Sequence, residues 1–113
     1  MTMTHEEIMN TARQWHYETF IKNAEHPVTL VSQLLKFEEE LAEWEEAKSL
    51  EELADVFIVL AGLRNLDSEV GRVFETTIYL MGFPLEEVDK EILKKLEINR
   101  QRVWKYINGV WHH

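Results

Sequence analysis

An all-α bundle of four to five helices is the fold class this sequence predicts, and three observations carry it. Apolar residues recur at helical spacing over most of the chain, as in Leu30, Leu34, Phe37, Leu41 and Trp44. Four glycines and two prolines in 113 residues are too few turn formers for an all-β fold. Thr4 with Glu7, and Ser49 with Glu52, have the spacing of capping boxes. The length and the 45% apolar content suit one domain, residues 1–113, with a core of its own.

The first helix is expected from about His5 toward Asn23, with a stripe through Ile8, Ala12, Trp15 and Thr19. "NAEHP" breaks it, and Pro27 suits the first turn of the next helix. That second helix carries the Leu30–Trp44 seam and should stop near Lys48, where Ser49 starts another. The third, Leu50 to about Leu66, is apolar nearly all round after Asp55 and should be buried. Asp67 or Ser68 then caps a further piece over "RVFETTIYLM". "GFP" makes a firm break, a last helix is expected from about Leu85 to Tyr106, and "INGVWHH" is a tail with one Asn-Gly turn.

The formal net charge of −9 argues against general nucleic-acid binding, because phosphate backbones attract basic surfaces. A phosphorylated small molecule remains compatible when cations sit between acids and phosphates. Without cysteine, disulfides, thiolate metal sites and thiol nucleophiles are excluded. "MTMTHEEIMN" lacks the basic flank and apolar core of a signal peptide, and no apolar run approaches a membrane span. The expected setting is therefore cytoplasmic, with no membrane partner.

Eight of the residues from Glu38 to Glu52 are glutamates. Glu40 and Glu43 lie on neighbouring turns of one helical face, and Glu52 and Asp55 repeat that spacing. On one continuous rod, nine residues at about 100° each would turn Glu52 to the side opposite Glu43. A reversal at Lys48–Ser49 instead lets both pairs face each other. Four converging carboxylates repel unless some are protonated or hard cations such as Mg²⁺ lie between them. The competing reading is a helical bundle acting through partner helices, its acids only a solvated coat.

"LLKFEEELAEW" followed by "LEELADVFIVLAGL" resembles the all-α NTP pyrophosphatases, which include the MazG-like proteins, dimeric dUTPases and dCTP pyrophosphatases. Their Glu-Glu-x-x-Glu and Glu-x-x-Asp pattern falls here on Glu39, Glu40, Glu43, Glu52 and Asp55. "KLEINRQRVW" is similar to the Lys-x-x-x-Asn-x-x-Arg segment that closes these domains, on Lys95, Asn99 and Arg102. The resemblance implies a MazG-like fold and hydrolysis of a (d)NTP to the (d)NMP and pyrophosphate. It implies Mg²⁺, with Mn²⁺ as a substitute, on Glu40, Glu43, Glu52 and Asp55, and triphosphate contacts from Lys95, Asn99 and Arg102. Glu39 stands either as the base for the attacking water or as a surface residue. Lys36 either reaches a phosphate or pairs with Glu39 or Glu40. Trp15 and Trp104 are candidates for stacking on the nucleobase, whereas Trp44 is read as core. The family also implies a homodimer or homotetramer, as does the wholly apolar third helix.

Two features depart from the family pattern. The gap from Glu43 to Glu52 is short, so the hairpin between the acidic helices must be very tight. Arg64 to Met81 reads as an insertion, in which Arg64 and Arg72 are expected to pair with nearby acids. Other helical chemistries fit less well. None of the five histidines follows a Glu by three residues, as a ferritin-like site requires. There is also no His-Asp dipeptide and no Gly-rich phosphate loop.

Overall fold

A computed structural model describes residues 2–113. The described residues form five helices and one short hairpin: α1 His5–Phe20, α2 Leu30–Ala47, α3 Leu50–Leu66, α4 Ser68–Tyr79, α5 Leu85–Gln101, β1 Lys105–Ile107 and β2 Val110–His112. The all-α bundle is therefore as the sequence indicates, with the hairpin as an addition. Helix α3 is its axis, in contact with each of the other four. Val56, Phe57, Leu60 and Leu63 on α3 are fully buried, as its lack of a polar face requires.

The apolar middle of α3, Val56 to Leu63, is buried within a single chain, so that stretch needs no second copy to cover it. Exposed large apolar side chains include Val31 (67% exposed) and Leu35 (61%) on α2, Val73 (61%) on α4, and Leu80 and Val103 outside the helices, with Leu50 at the very start of α3. No helix of the described residues is long and apolar enough to cross a membrane.

Helix boundaries follow their caps. The Thr4 hydroxyl accepts from the Glu7 amide at 3.1 Å and the Glu7 carboxylate accepts from the Thr4 amide at 3.0 Å, closing the expected capping box. Helix α1 ends at Phe20, short of Asn23, because the amides of Ile21 and Lys22 both fold back on the Tyr17 carbonyl. Pro27 stays outside α2. The cap there is Thr29, paired reciprocally with Ser32. Asp67 caps α4 by accepting from the Glu69 and Val70 amides, both at 3.1 Å.

The expected continuation of α5 to Tyr106 is incorrect. The Asn99 carbonyl takes the Arg102 amide and the Trp104 indole N–H, each at 3.2 Å, which ends the helix one turn earlier. The chain then pairs Ile107 with Val110 across Asn108–Gly109. Both turn residues have positive φ, 51° and 80°, the conformation that an Asn-Gly hairpin turn requires.

Helix α4 is fastened by partly buried polar groups around the buried Glu75. Arg64 donates to Glu75 at 3.2 Å, Tyr79 donates to Glu75, and the His5 ring bridges Tyr79 and Asp89. Arg64 thus pairs with an acid as expected, while Arg72 is exposed.

Candidate functional site

The reversal after α2 is as tight as the sequence demands. Lys48 adopts a left-handed conformation (φ 55°, ψ 26°), its amide closes on the Trp44 carbonyl at 2.7 Å, and the Ser49 hydroxyl accepts from the Glu52 amide at 3.2 Å. Lys48 also lies over the Trp44 ring, 4.6 Å from its centroid. Trp44 itself is buried edge-on against Phe83, a core residue as expected. The capping box expected at Ser49 is only half formed. The hydroxyl caps the helix, and the Glu52 carboxylate turns to the acids.

Glu40, Glu52 and Asp55 converge, with one oxygen from each lying within 4.8 Å of the others. Glu43 is exposed and lines the same cleft outside this trio. Glu40 is only 8% exposed. One of its oxygens lies 3.3 Å from the Lys36 ammonium; the other is buried without a hydrogen-bond partner. Burial, then the Asp55 charge, raises its pKa to about 7, against the pull of Lys36. Glu52 is raised by burial and the Asp55 charge. Burial raises Asp55 too, opposed by Lys95. Each acid is thus being asked to carry charge in a setting that resists it.

Basic groups face the acids. Lys95 on α5 lies 3.3 Å from Asp55. Arg102, just past the helix, donates to the Asn99 side-chain carbonyl at 2.9 Å and also lines the cleft. The three residues of the basic motif therefore meet at the site, although Arg102 is not on the helix. Glu39 lies at the rim, more than half exposed and 3.6 Å from Lys36.

The cleft has a volume of about 430 Å³ and runs from these charges to an aromatic end. There Phe20 meets Trp15, Trp104 and Trp111 with ring centroids 5.0 to 5.7 Å apart. Trp15 and Trp104 thus reach the cleft as expected. Trp111 lines it as well.

The hairpin closes this end. Trp111 donates to the His26 carbonyl at 3.1 Å, and the His26 ring stacks on Tyr106 at 4.1 Å. His26, in the loop before α2, is the hairpin's seat. His112 and His113 also line the cleft, and burial and the nearby Arg102 lower the pKa of His113. The available signal for this element was Asn-Gly between Tyr-Ile and Val-Trp, a hairpin pattern.

Sequence reasoning also missed a buried relay from three helices. Asn65 donates to the Arg13 carbonyl at 2.8 Å and to His16 Nδ1 at 3.2 Å. His16 Nε2–H donates to Gln33 Oε1 at 3.2 Å, and Gln33 Nε2 donates to the Val59 carbonyl at 3.0 Å. Burial lowers the His16 pKa to about 4, so the ring is neutral. His16 and Gln33 both line the aromatic end of the cleft.

The donor set fits a hard divalent cation: three carboxylates within mutual reach, one with an orphaned buried oxygen, and no softer ligand among them. No protein-family model, curated protein or solved structure matches this chain.

Proposed function

We propose that this chain is a Mg²⁺-dependent nucleoside triphosphate pyrophosphohydrolase of the MazG-like class, cleaving a (d)NTP with water to the (d)NMP and pyrophosphate. The observation that carries the reading is the orphaned Glu40 oxygen in a knot of three carboxylates, faced by Lys95 and Arg102. A surface coat of glutamates would keep its oxygens hydrated, whereas burial of an unpartnered carboxylate oxygen is costly and calls for a ligand.

Glu40, Glu52 and Asp55, with Glu43 at the rim, would hold Mg²⁺ or Mn²⁺. When bound, the ion supplies polarisation of a phosphoryl oxygen and activation of water. The chain's own groups supply the rest. Lys95, Arg102 and Lys36 offer N–H donors to phosphate oxygens, and charge-assisted bonds of this kind are the strong ones. Asn99 holds the Arg102 guanidinium in place. Glu39, exposed at the rim, is the carboxylate left to accept a proton from the attacking water. Trp15 and Trp104 give the nucleobase an apolar wall away from the charges.

A (d)NTP substrate fits a cytoplasmic setting. Val31, Leu35 and Val73 supply an exposed apolar surface for pairing copies into a homodimer or homotetramer.

Product analysis tests this directly. With Mg²⁺, chromatography should show NMP and pyrophosphate in equal amounts, and EDTA should stop their formation. NDP and phosphate as products would overturn the assignment. No hydrolysis, with no metal binding, would leave an interaction bundle with a solvated acidic face.

A further inference from the structure

The relay at the aromatic end of the cleft has only one self-consistent arrangement of protons. A backbone carbonyl can only accept, so the bond to Val59 fixes the Gln33 NH₂ on that side. Gln33 Oε1 therefore faces His16 and must accept from Nε2–H, leaving Nδ1 to accept from Asn65. The Arg13 carbonyl fixes the Asn65 amide at the far end in the same way. Packing holds the arrangement. A side chain at Gly62 would place its Cβ 2.4 Å from Gln33 Nε2 and 2.7 Å from His16 Cδ2.

The count of valences leaves His16 with none to spare and Gln33 with two, one N–H and one carbonyl lone pair. Gln33 is 5% exposed and lines the cleft whose aromatic wall includes Trp15, Trp104 and Trp111. A flat heterocycle seated against that wall meets a donor and an acceptor whose order is fixed.

We infer that Gln33 is a specificity-determining residue that reads the hydrogen-bonding edge of a base, and that His16 and Asn65 are positioning residues fixing which way its amide points. Calling the heterocycle a nucleobase rests on the pyrophosphohydrolase reading. The fixed amide has a definite consequence. Uracil and cytosine exchange donor and acceptor between positions 3 and 4, and guanine and adenine exchange them between positions 1 and 6. An amide held in one orientation pairs with the keto or the amino member of each couple, whereas a freely rotating amide would accept both.

The test is nucleoside binding followed by tryptophan fluorescence in EDTA, which needs neither metal nor turnover. Uridine is compared with cytidine, and guanosine with adenosine. The wild-type protein should favour one member of a couple by roughly tenfold. Gln33→Met, matched in length, should bring the two to within about twofold of each other. Gln33→Glu serves as a second variant, and covers the case in which Gln33→Met fails to fold. Its carboxyl proton goes to Val59 and its remaining oxygen to His16, so an acceptor replaces the spare N–H and the ratio should move away from the member the wild type favours.

Unchanged ratios in both folded variants, or no nucleoside binding by the wild type, would overturn the inference even if the wild type hydrolyses NTPs. Binding with a ratio that collapses in Gln33→Met, in a protein that hydrolyses nothing, would uphold it and remove the pyrophosphohydrolase reading instead.

Discussion

The Lys95 ammonium lies 3.3 Å from the Asp55 carboxylate, joining the basic face of α5 to the acids at the start of α3. Lys95 is the chief group opposing the upward shift of Asp55, and on the proposed function it is also a donor to the triphosphate. Lys95→Met should therefore act on both. KM for the (d)NTP should rise about tenfold or more, the usual effect of losing a charge-assisted hydrogen bond. Mg²⁺ binding should also require a higher pH than in the wild type. Steady-state kinetics and metal titration at two pH values check the pair of effects.

The acids set a pH dependence whose sign is determined by their upward shifts. Glu40 is held at about 7, against 4.5 when unfolded. Between those values the folded chain holds more protons than the unfolded one. In EDTA the contribution of Glu40 to stability is therefore fully present below 4.5 and is lost as pH rises through about 7. Glu52 and Asp55, raised in the same direction, add to the slope. Thermal melts from about pH 5 to about pH 8 should show the decline, reduced by Glu40→Gln and by added Mg²⁺. Mg²⁺ affinity should climb over the same window as the ion displaces the proton. A flat profile in both measurements would contradict the packing of these acids.

Gly62→Ala should destabilise the fold by about 1–3 kcal/mol, the usual cost of forcing atoms into a packed interior. The added Cβ has no room beside Gln33 and His16. Chemical denaturation measures the loss, and an unchanged midpoint would mean that the relay yields easily.

Trp111→Ala should release the hairpin while leaving the bundle intact. The indole gives up its bond to the His26 carbonyl and its contact with Phe20. Amide exchange should speed up across residues 105–112 and stay slow in α3. Equal acceleration in both would mean that the hairpin is part of the global core.

The legibility of the sequence followed how local each signal was. Ser49 and its spacing to Glu52 located the α2–α3 reversal, because a cap is a contact between residues three apart. That reversal brought Glu40 to Glu52 and Asp55, so the acid trio could be anticipated. Glu43 was expected on equal terms with them but is exposed at the rim, since helix periodicity fixes a face and not a distance. The end of α5 was misjudged because the Trp104 indole, five residues on, takes the Asn99 carbonyl. The His16–Gln33–Asn65 relay was not legible at all. Its members come from α1, α2 and α3, and each alone is an ordinary polar residue on a helix.

The most direct test of the acid site is the rate of pyrophosphate release by Asp55→Asn at saturating Mg²⁺, with helicity measured on the same sample. The substitution keeps the shape of the side chain and removes the charge that converges with Glu40 and Glu52. The account requires a fall of at least about a hundredfold, the upper range for losing even an outer partner of a metal site, with helicity nearly unchanged. Wild-type turnover in the folded variant would mean that these carboxylates do not hold the metal.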